Sequence, residues 1–179
     1  MKAKLKYVSL AGLLLGMLFL SAGPCFAKSA IQEYWEAKRS AKRGQKDFAF
    51  MHYRSILREY PSSKYKDQAL FANGEYYYIN FDYRQSKKYF EQFLEVSGDQ
   101  NGKLFALAYL LKIAEYNNDT EALKALKEQM VGTKRQGFLF EDYKEYDYDS
   151  PLLRSHKAVY GIETIEFKIE GESFAKIQY

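Results

Sequence analysis

Two histidines, one cysteine and 23 carboxylates are the side chains of this 179-residue sequence best placed to do chemistry, and their spacing argues against most of it. His52 and His156 share no metal-ligand spacing and neither stands beside a cysteine. A zinc centre is therefore disfavoured, and each reads as an ordinary core or surface histidine. Serines and aspartates are plentiful, but no Gly-x-Ser-x-Gly elbow presents a nucleophile. Gly98 and Gly102 are not followed by Lys-Ser/Thr in the register of a phosphate loop. Glu145, Asp147 and Asp149 offer closely spaced oxygens for calcium, without the glycine and distal glutamate of an EF-hand loop. No metal site, no cofactor and no catalytic constellation is expected, and the chain reads as a non-enzyme.

Charge narrows the partners. The formal charge is +4, but Lys2, Lys4 and Lys6 lie in a stretch, residues 1–27, that contains no acid. Without that stretch, 24 bases face 23 acids. A chain so nearly neutral has little counterion release to drive general nucleic-acid binding. The remaining length of roughly 150 residues matches one domain. Its unusual feature is aromatic: Tyr 17 and Phe 13, against Trp 1 and Pro 3.

Residues 1–27 have the form of a secretory signal peptide. Three lysines precede an apolar stretch over Val8–Ala22, and Cys25-Phe26-Ala27 offers a small-x-small cleavage site before Lys28. The stretch falls short of the roughly 20 residues a spanning helix needs. An uncleaved anchor and a lipid on Cys25 are the alternatives. The second is opposed by Pro24, whose ring and missing N–H suit a peptidase poorly.

The elements that would position any functional side chain are helices. Apolar residues recur at helical spacing, with breaks at Gly44, Pro61–Ser63, Asn80–Asp82, Ser97–Gly102, Asn117–Thr120 and Gly132. Six helices follow, near 30–43, 46–60, 64–79, 83–96, 103–116 and 120–131. Their short connections make neighbours antiparallel. The pairs repeat: Ala49, Tyr53 and Ile56 recur 37 residues on as Ser86, Phe90 and Phe93, and a further 36 on as Ala122, Leu126 and Gln129. Twelve residues before each first member stand Ala37, Gly74 and Leu110. Small residues facing one another let antiparallel helices approach closely, so Ala37 should face Ala49 and Gly74 should face Ser86. A period of this length with a helix pair per unit marks a helical solenoid.

The second unit, Ala69-Leu70-Phe71-Ala72-Asn73-Gly74-Glu75-Tyr76-Tyr77 followed by Phe81-Asp82-Tyr83 and Ser86…Phe90, resembles a tetratricopeptide repeat. The segment Tyr53–Tyr65, with its Tyr60-Pro61-Ser62-Ser63, resembles the subtype of the bacterial outer-membrane assembly lipoproteins (BamD-like) and the Tol-Pal coordinator family. The resemblance covers about residues 30–131. Leu110 and Gln129 depart from it in the third unit, which reads as a cap. In that family the first helix of each pair lines a concave binding surface. The resemblance therefore implies a groove of Tyr34, Lys38 and Lys42, then Phe71, Glu75 and Tyr78, then Leu107, Leu111 and Glu115. The alternative is that some of these pack under the C-terminal segment.

That segment differs in kind. Residues 133–152, with the acidic and tyrosine-rich run Glu141–Asp149, read as a linker or extended surface segment. Over 153–179 the period becomes two: Ile165, Phe167 and Ile169 share one face, and Ala175, Ile177 and Tyr179 another, with Glu170-Gly171-Glu172 as the turn. This predicts a β-hairpin, with room for a third strand near Lys157–Ile162. A lone hairpin is marginal in water, so it must be covered, and the last helices near Leu123 and Leu126 are the expected cover.

The sequence thus predicts a mainly α protein: a signal peptide at 1–27, about three tetratricopeptide-like helix pairs over 28–132, and a small C-terminal β-hairpin. The function it implies is a non-enzymatic scaffold of a Gram-negative-type periplasm or cell envelope, holding a protein or peptide partner in outer-membrane or envelope assembly. Membrane association would come only through that partner or a lipid on Cys25. The alternative is an accessory subunit whose hairpin docks on a partner's sheet.

Overall fold

The computed structural model of the protein describes residues 28–137 and 144–178. The expected signal peptide over 1–27 with Cys25, the early part of the acidic run and Tyr179 lie outside the described residues. Among the described residues six helices come first: α1 Ala30–Lys42, α2 Lys46–Glu59, α3 Lys66–Ile79, α4 Tyr83–Val96, α5 Gln100–Tyr116 and α6 Thr120–Gly137. Four strands follow: β1 Lys144–Asp149, β2 Ser155–Tyr160, β3 Thr164–Ile169 and β4 Glu172–Gln178.

Side-chain caps set four of the six described helix starts, while α2 and α3 begin without one. Ser29 and Gln32 form a capping box on α1. Asp82 accepts from Gln85 N at the head of α4, and Asp99 from Gly102 N at the head of α5. Asp119 does the same for Ala122 N. Each carboxylate satisfies an amide that has no partner within its own helix.

Helices pack mainly with their chain neighbours, in consecutive pairs α1–α2, α3–α4 and α5–α6. The small-residue contacts form as expected. Ala37 and Ala49 are both fully buried in one cluster, and Ser86 Oγ donates to Gly74 O over 2.9 Å. Tyr53 and Phe90, one period apart, are both 0% exposed. The α5–α6 pair is less closely packed than the first two. Where they carry Ala37 or Gly74, it carries Leu110, and a cleft of about 200 Å³ opens beside Leu110, Ala122 and Leu126.

The turns within the pairs repeat in backbone detail. Gly44, Phe81 and Asn118 all have positive φ, at 72°, 62° and 54°. Each turn also closes a bond from the following amide: Gln45 N to Ser40 O, Asp82 N to Tyr77 O and Asp119 N to Ala114 O, at 2.9, 2.9 and 3.0 Å. The left-handed residues are spaced 37 apart, like the core positions.

The C-terminal region is larger than a hairpin. Its strands form one antiparallel sheet in the order β1-β2-β3-β4. β3 falls where the alternation placed it, and β2 supplies the third strand. β1 corrects the linker expectation: Lys144–Asp149 is a strand whose register pairs Tyr146 with Ala158 and Tyr148 with His156. Along it Tyr146 and Tyr148 turn toward the core while Glu145, Asp147 and Asp149 are exposed, so these three acids form one face of a strand.

The sheet's inner face, including Ala158, Ile165, Phe167 and Ile177, joins one core cluster with Phe71 of α3 and Leu104–Leu111 of α5. The expected cover by the last helices falls to α5 more than to α6, where Leu123 and Leu126 were expected to supply it. The sheet packs chiefly on α5, through β1 and β2. Leu123 and Leu126 of α6 are partly buried against the same cluster. An apolar length such as Phe105-Ala106-Leu107-Ala108 on α5, buried all round, must be covered on more than one side, and the sheet supplies the second.

Candidate functional site

The nine residues of the implied groove separate into a closed centre and two open ends. Phe71, Glu75, Leu107 and Leu111 are 0, 0, 4 and 0% exposed, so the protein's own sheet occupies the middle of the groove. These four line no open surface. Tyr148 and His156 put rings against Phe71, and Phe174 puts one against Tyr78. The β1–β2 connection reaches further: Leu152 is buried with Ala37, Ile56 and Ala72, and Tyr53 donates its hydroxyl to Pro151 O. Beyond it, Tyr34 stacks on Tyr65 at 4.2 Å with Lys38 over its ring, and Lys42 is exposed.

The closed centre holds a polar cluster. Glu75, on α3, is wholly buried. Its Oε1 accepts from Tyr109 Oη at 2.9 Å and lies 3.3 Å from His156 Nε2 and 3.5 Å from Arg154 Nη1. Arg154 reaches out to Glu170 at 3.2 Å, so one guanidinium joins a buried and an exposed carboxylate. His156 Nδ1 faces Arg154 O at 2.9 Å; a carbonyl only accepts, so that nitrogen carries hydrogen. Burial, and then the charge of Glu75, push the Tyr109 hydroxyl well above the ordinary tyrosine range. Burial lowers the affinity of Arg154 for its proton, but Tyr109, Glu75 and Glu170 outweigh this and raise it. The second oxygen of Glu75, Oε2, has no hydrogen-bond partner. The cluster can lock the sheet to α3 and α5. Glu75, Tyr109 and His156 are buried within it, and Arg154 is the member that reaches the surface.

The open end beside Tyr78 is aromatic. Tyr78 lies 5.4 Å from Tyr83, which lies 4.5 Å from Tyr116 and 6.3 Å from Phe81. Phe81 is 77% and Tyr116 67% exposed. Burial, with Tyr83 and Glu115 adding to it, pushes the Tyr78 hydroxyl up to about 12. Glu115, the last groove residue, is exposed here and pairs with Lys112 at 2.6 Å. Tyr78 and Glu115 are thus two predicted groove residues that the structure brings together at an accessible surface.

Phe81, Tyr83 and Tyr116 lie outside the nine groove residues that the resemblance implied. Their signal was the period: Phe81 falls midway between Gly44 and Asn118, the two turn residues that tolerate a left-handed backbone. Among the described residues no group of three or more His, Cys, Asp or Glu side chains is placed to hold a metal ion. No described helix is long and apolar enough to cross a membrane.

Comparison with known proteins finds no family model, no curated protein and no solved structure that matches this chain.

Proposed function

We propose that this chain is an exported, non-enzymatic helical-repeat scaffold of the bacterial cell envelope that binds a protein or peptide partner through the aromatic platform of Tyr78, Phe81, Tyr83 and Tyr116. One observation carries the reading. A bulky residue at positive φ is strained, and Phe81 recovers little of that cost, because its ring is 77% exposed. The two equivalent turns use Gly44 and Asn118, which accept the conformation. An exposed aromatic kept at a strained position suits recognition, where a rigid ring with few rotamers is a good anchor. Asp82 and Glu115 flank the rings, so the partner segment would present an apolar side chain beside a basic one.

The tetratricopeptide-type reading is supported by the 37-residue recurrence of core and turn positions. Export is supported by the sequence of residues 1–27 alone. The second reading, strand addition to the sheet, has a narrower basis. The inner face is covered by the chain's own helices, and only the edges, β1 and β4, remain to pair.

The test places a photo-crosslinking phenylalanine analogue at position 81 and, separately, at the exposed Lys127 on α6, in cells that make the protein. A discrete adduct from position 81 that is absent from position 127, and is lost when Tyr83 and Tyr116 become serine, supports the platform. Equal adducts from both positions, or none from position 81, reject it.

A further inference from the structure

A cleft of about 530 Å³ lies between α2, the start of α3 and α4, and no residue of the sheet lines it. Its rim carries Arg54, Arg58, Lys66 and Lys88 against one acid, Glu95. In a chain whose bases and acids nearly balance, this is a local excess of positive charge. It is also largely uncompensated: Arg58 pairs with Glu59, but Arg54, Lys66 and Lys88 have no carboxylate within 4.0 Å among the described residues. Between these charges lie apolar side chains, Leu57, Leu70 and Tyr89 among them. Like charges gathered at one cleft repel, and a bound anion would relieve them.

We propose that this cleft binds a phosphate-bearing amphiphile, with the phosphoryl anion held by Arg54, Arg58, Lys66 and Lys88 and the apolar part laid on Leu57, Leu70 and Tyr89. The volume is that of a small-molecule site, and its mixed charged and apolar lining suits a ligand with both an anion and an apolar part. Guanidinium groups give paired donors to phosphoryl oxygens, and the lysines add point charges. The site is separate from the aromatic platform, which lies at the α3–α4 turn and the end of α5, so the two proposals stand or fall independently.

The anion can come from a phospholipid headgroup or from a soluble phosphate compound, and three probes separate these: inorganic pyrophosphate, soluble dihexanoyl phosphatidic acid, and phosphatidylglycerol vesicles. Calorimetry should show dihexanoyl phosphatidic acid binding more tightly than pyrophosphate, because only it uses the apolar walls. The double substitution Arg54→Gln with Lys88→Gln should weaken both by roughly tenfold or more, the loss expected for charge-assisted contacts. Lys124→Gln with Lys127→Gln removes the same charge from the exposed face of α6 and should change neither. Retention on vesicles assigns the lipid source, and soluble binding without vesicle retention assigns a soluble compound; both uphold the site. The proposal is overturned if no soluble probe binds, if pyrophosphate binds as tightly as the lipid, or if the α6 substitutions weaken binding as much as those in the cleft. Unchanged circular dichroism of both double variants shows that any loss is not unfolding.

Discussion

Phe81 occupies in the second helix pair the left-handed backbone position that Asn118 occupies in the third, with φ of 62° against 54°. The backbone is the same, and the side chains differ in what that backbone costs them. Phe81→Asn should therefore stabilise the fold by about 0.5–1 kcal/mol, because asparagine takes this conformation with less strain than phenylalanine. The same substitution should abolish crosslinking or capture of the partner. A variant that gains stability while losing binding is the expected signature of a residue kept for recognition. Denaturant unfolding of the variant beside the parent measures the first half, and a loss of stability would remove the strain argument.

The cluster around Glu75 gives a second outcome. Arg154→Met leaves a wholly buried carboxylate without its cation, and breaking a buried pair in this way costs about 3–5 kcal/mol. Glu75→Gln keeps the shape and removes the charge, so its cost should be clearly smaller. Melting temperatures of the two variants check the order. If Arg154→Met is the milder change, Glu75 does not depend on the guanidinium.

Much of the helical half was legible in the sequence because local signals carried it. Gly44, Pro61 and Asn117 punctuated the chain near helix ends, and the recurrence of Tyr53 as Phe90 marked the core. β1 was not read, because Tyr146 and Tyr148 alternate with Asp147 and Asp149, and the acids drew attention from the period of two. The burial of Phe71, Glu75, Leu107 and Leu111 was not settled by local pattern. A residue facing a groove and one facing a docked sheet have the same helical phase, and only tertiary placement separates them. Arg54 and Arg58 stand one helical turn apart, but Lys66 and Lys88 join them only through packing of three helices.

Gly74 tests the register of the repeat. A Cβ there would meet the ring of Phe90 at 3.0 Å. That ring cannot swing aside freely, since it stacks on Tyr109 at 4.7 Å and meets Phe71 edge-on. Gly74→Leu should cost about 1–3 kcal/mol by overpacking. A melting temperature equal to the parent's would reject the α3–α4 contact.

Alkaline pH should unfold the protein cooperatively. Burial raises the hydroxyls of Tyr53, Tyr78, Tyr109 and Tyr148, with Tyr78 at about 12. The fold favours the neutral phenol, so the unfolded chain loses these protons first. Their contribution is complete below about pH 10, the unfolded value, and is lost as pH rises through the folded values. Tyr78 spends its share by about pH 12. Phenolate absorbance of the buried set should rise together with loss of helical ellipticity. Ionisation of all the tyrosines with ellipticity unchanged would contradict the burial.

The sheet belongs to the helical body and fills the face of α3 and α5, so the proposed partner surface is the aromatic platform beside it. Native-state hydrogen exchange tests it most directly, by comparing amides of β2 and β3 with those of α5. One cooperative unit predicts that the slowest amides of the sheet and of α5 exchange with the same opening free energy. Sheet amides that exchange orders of magnitude faster than those of α5 would show a sheet that opens by itself, and the filled groove would be contradicted.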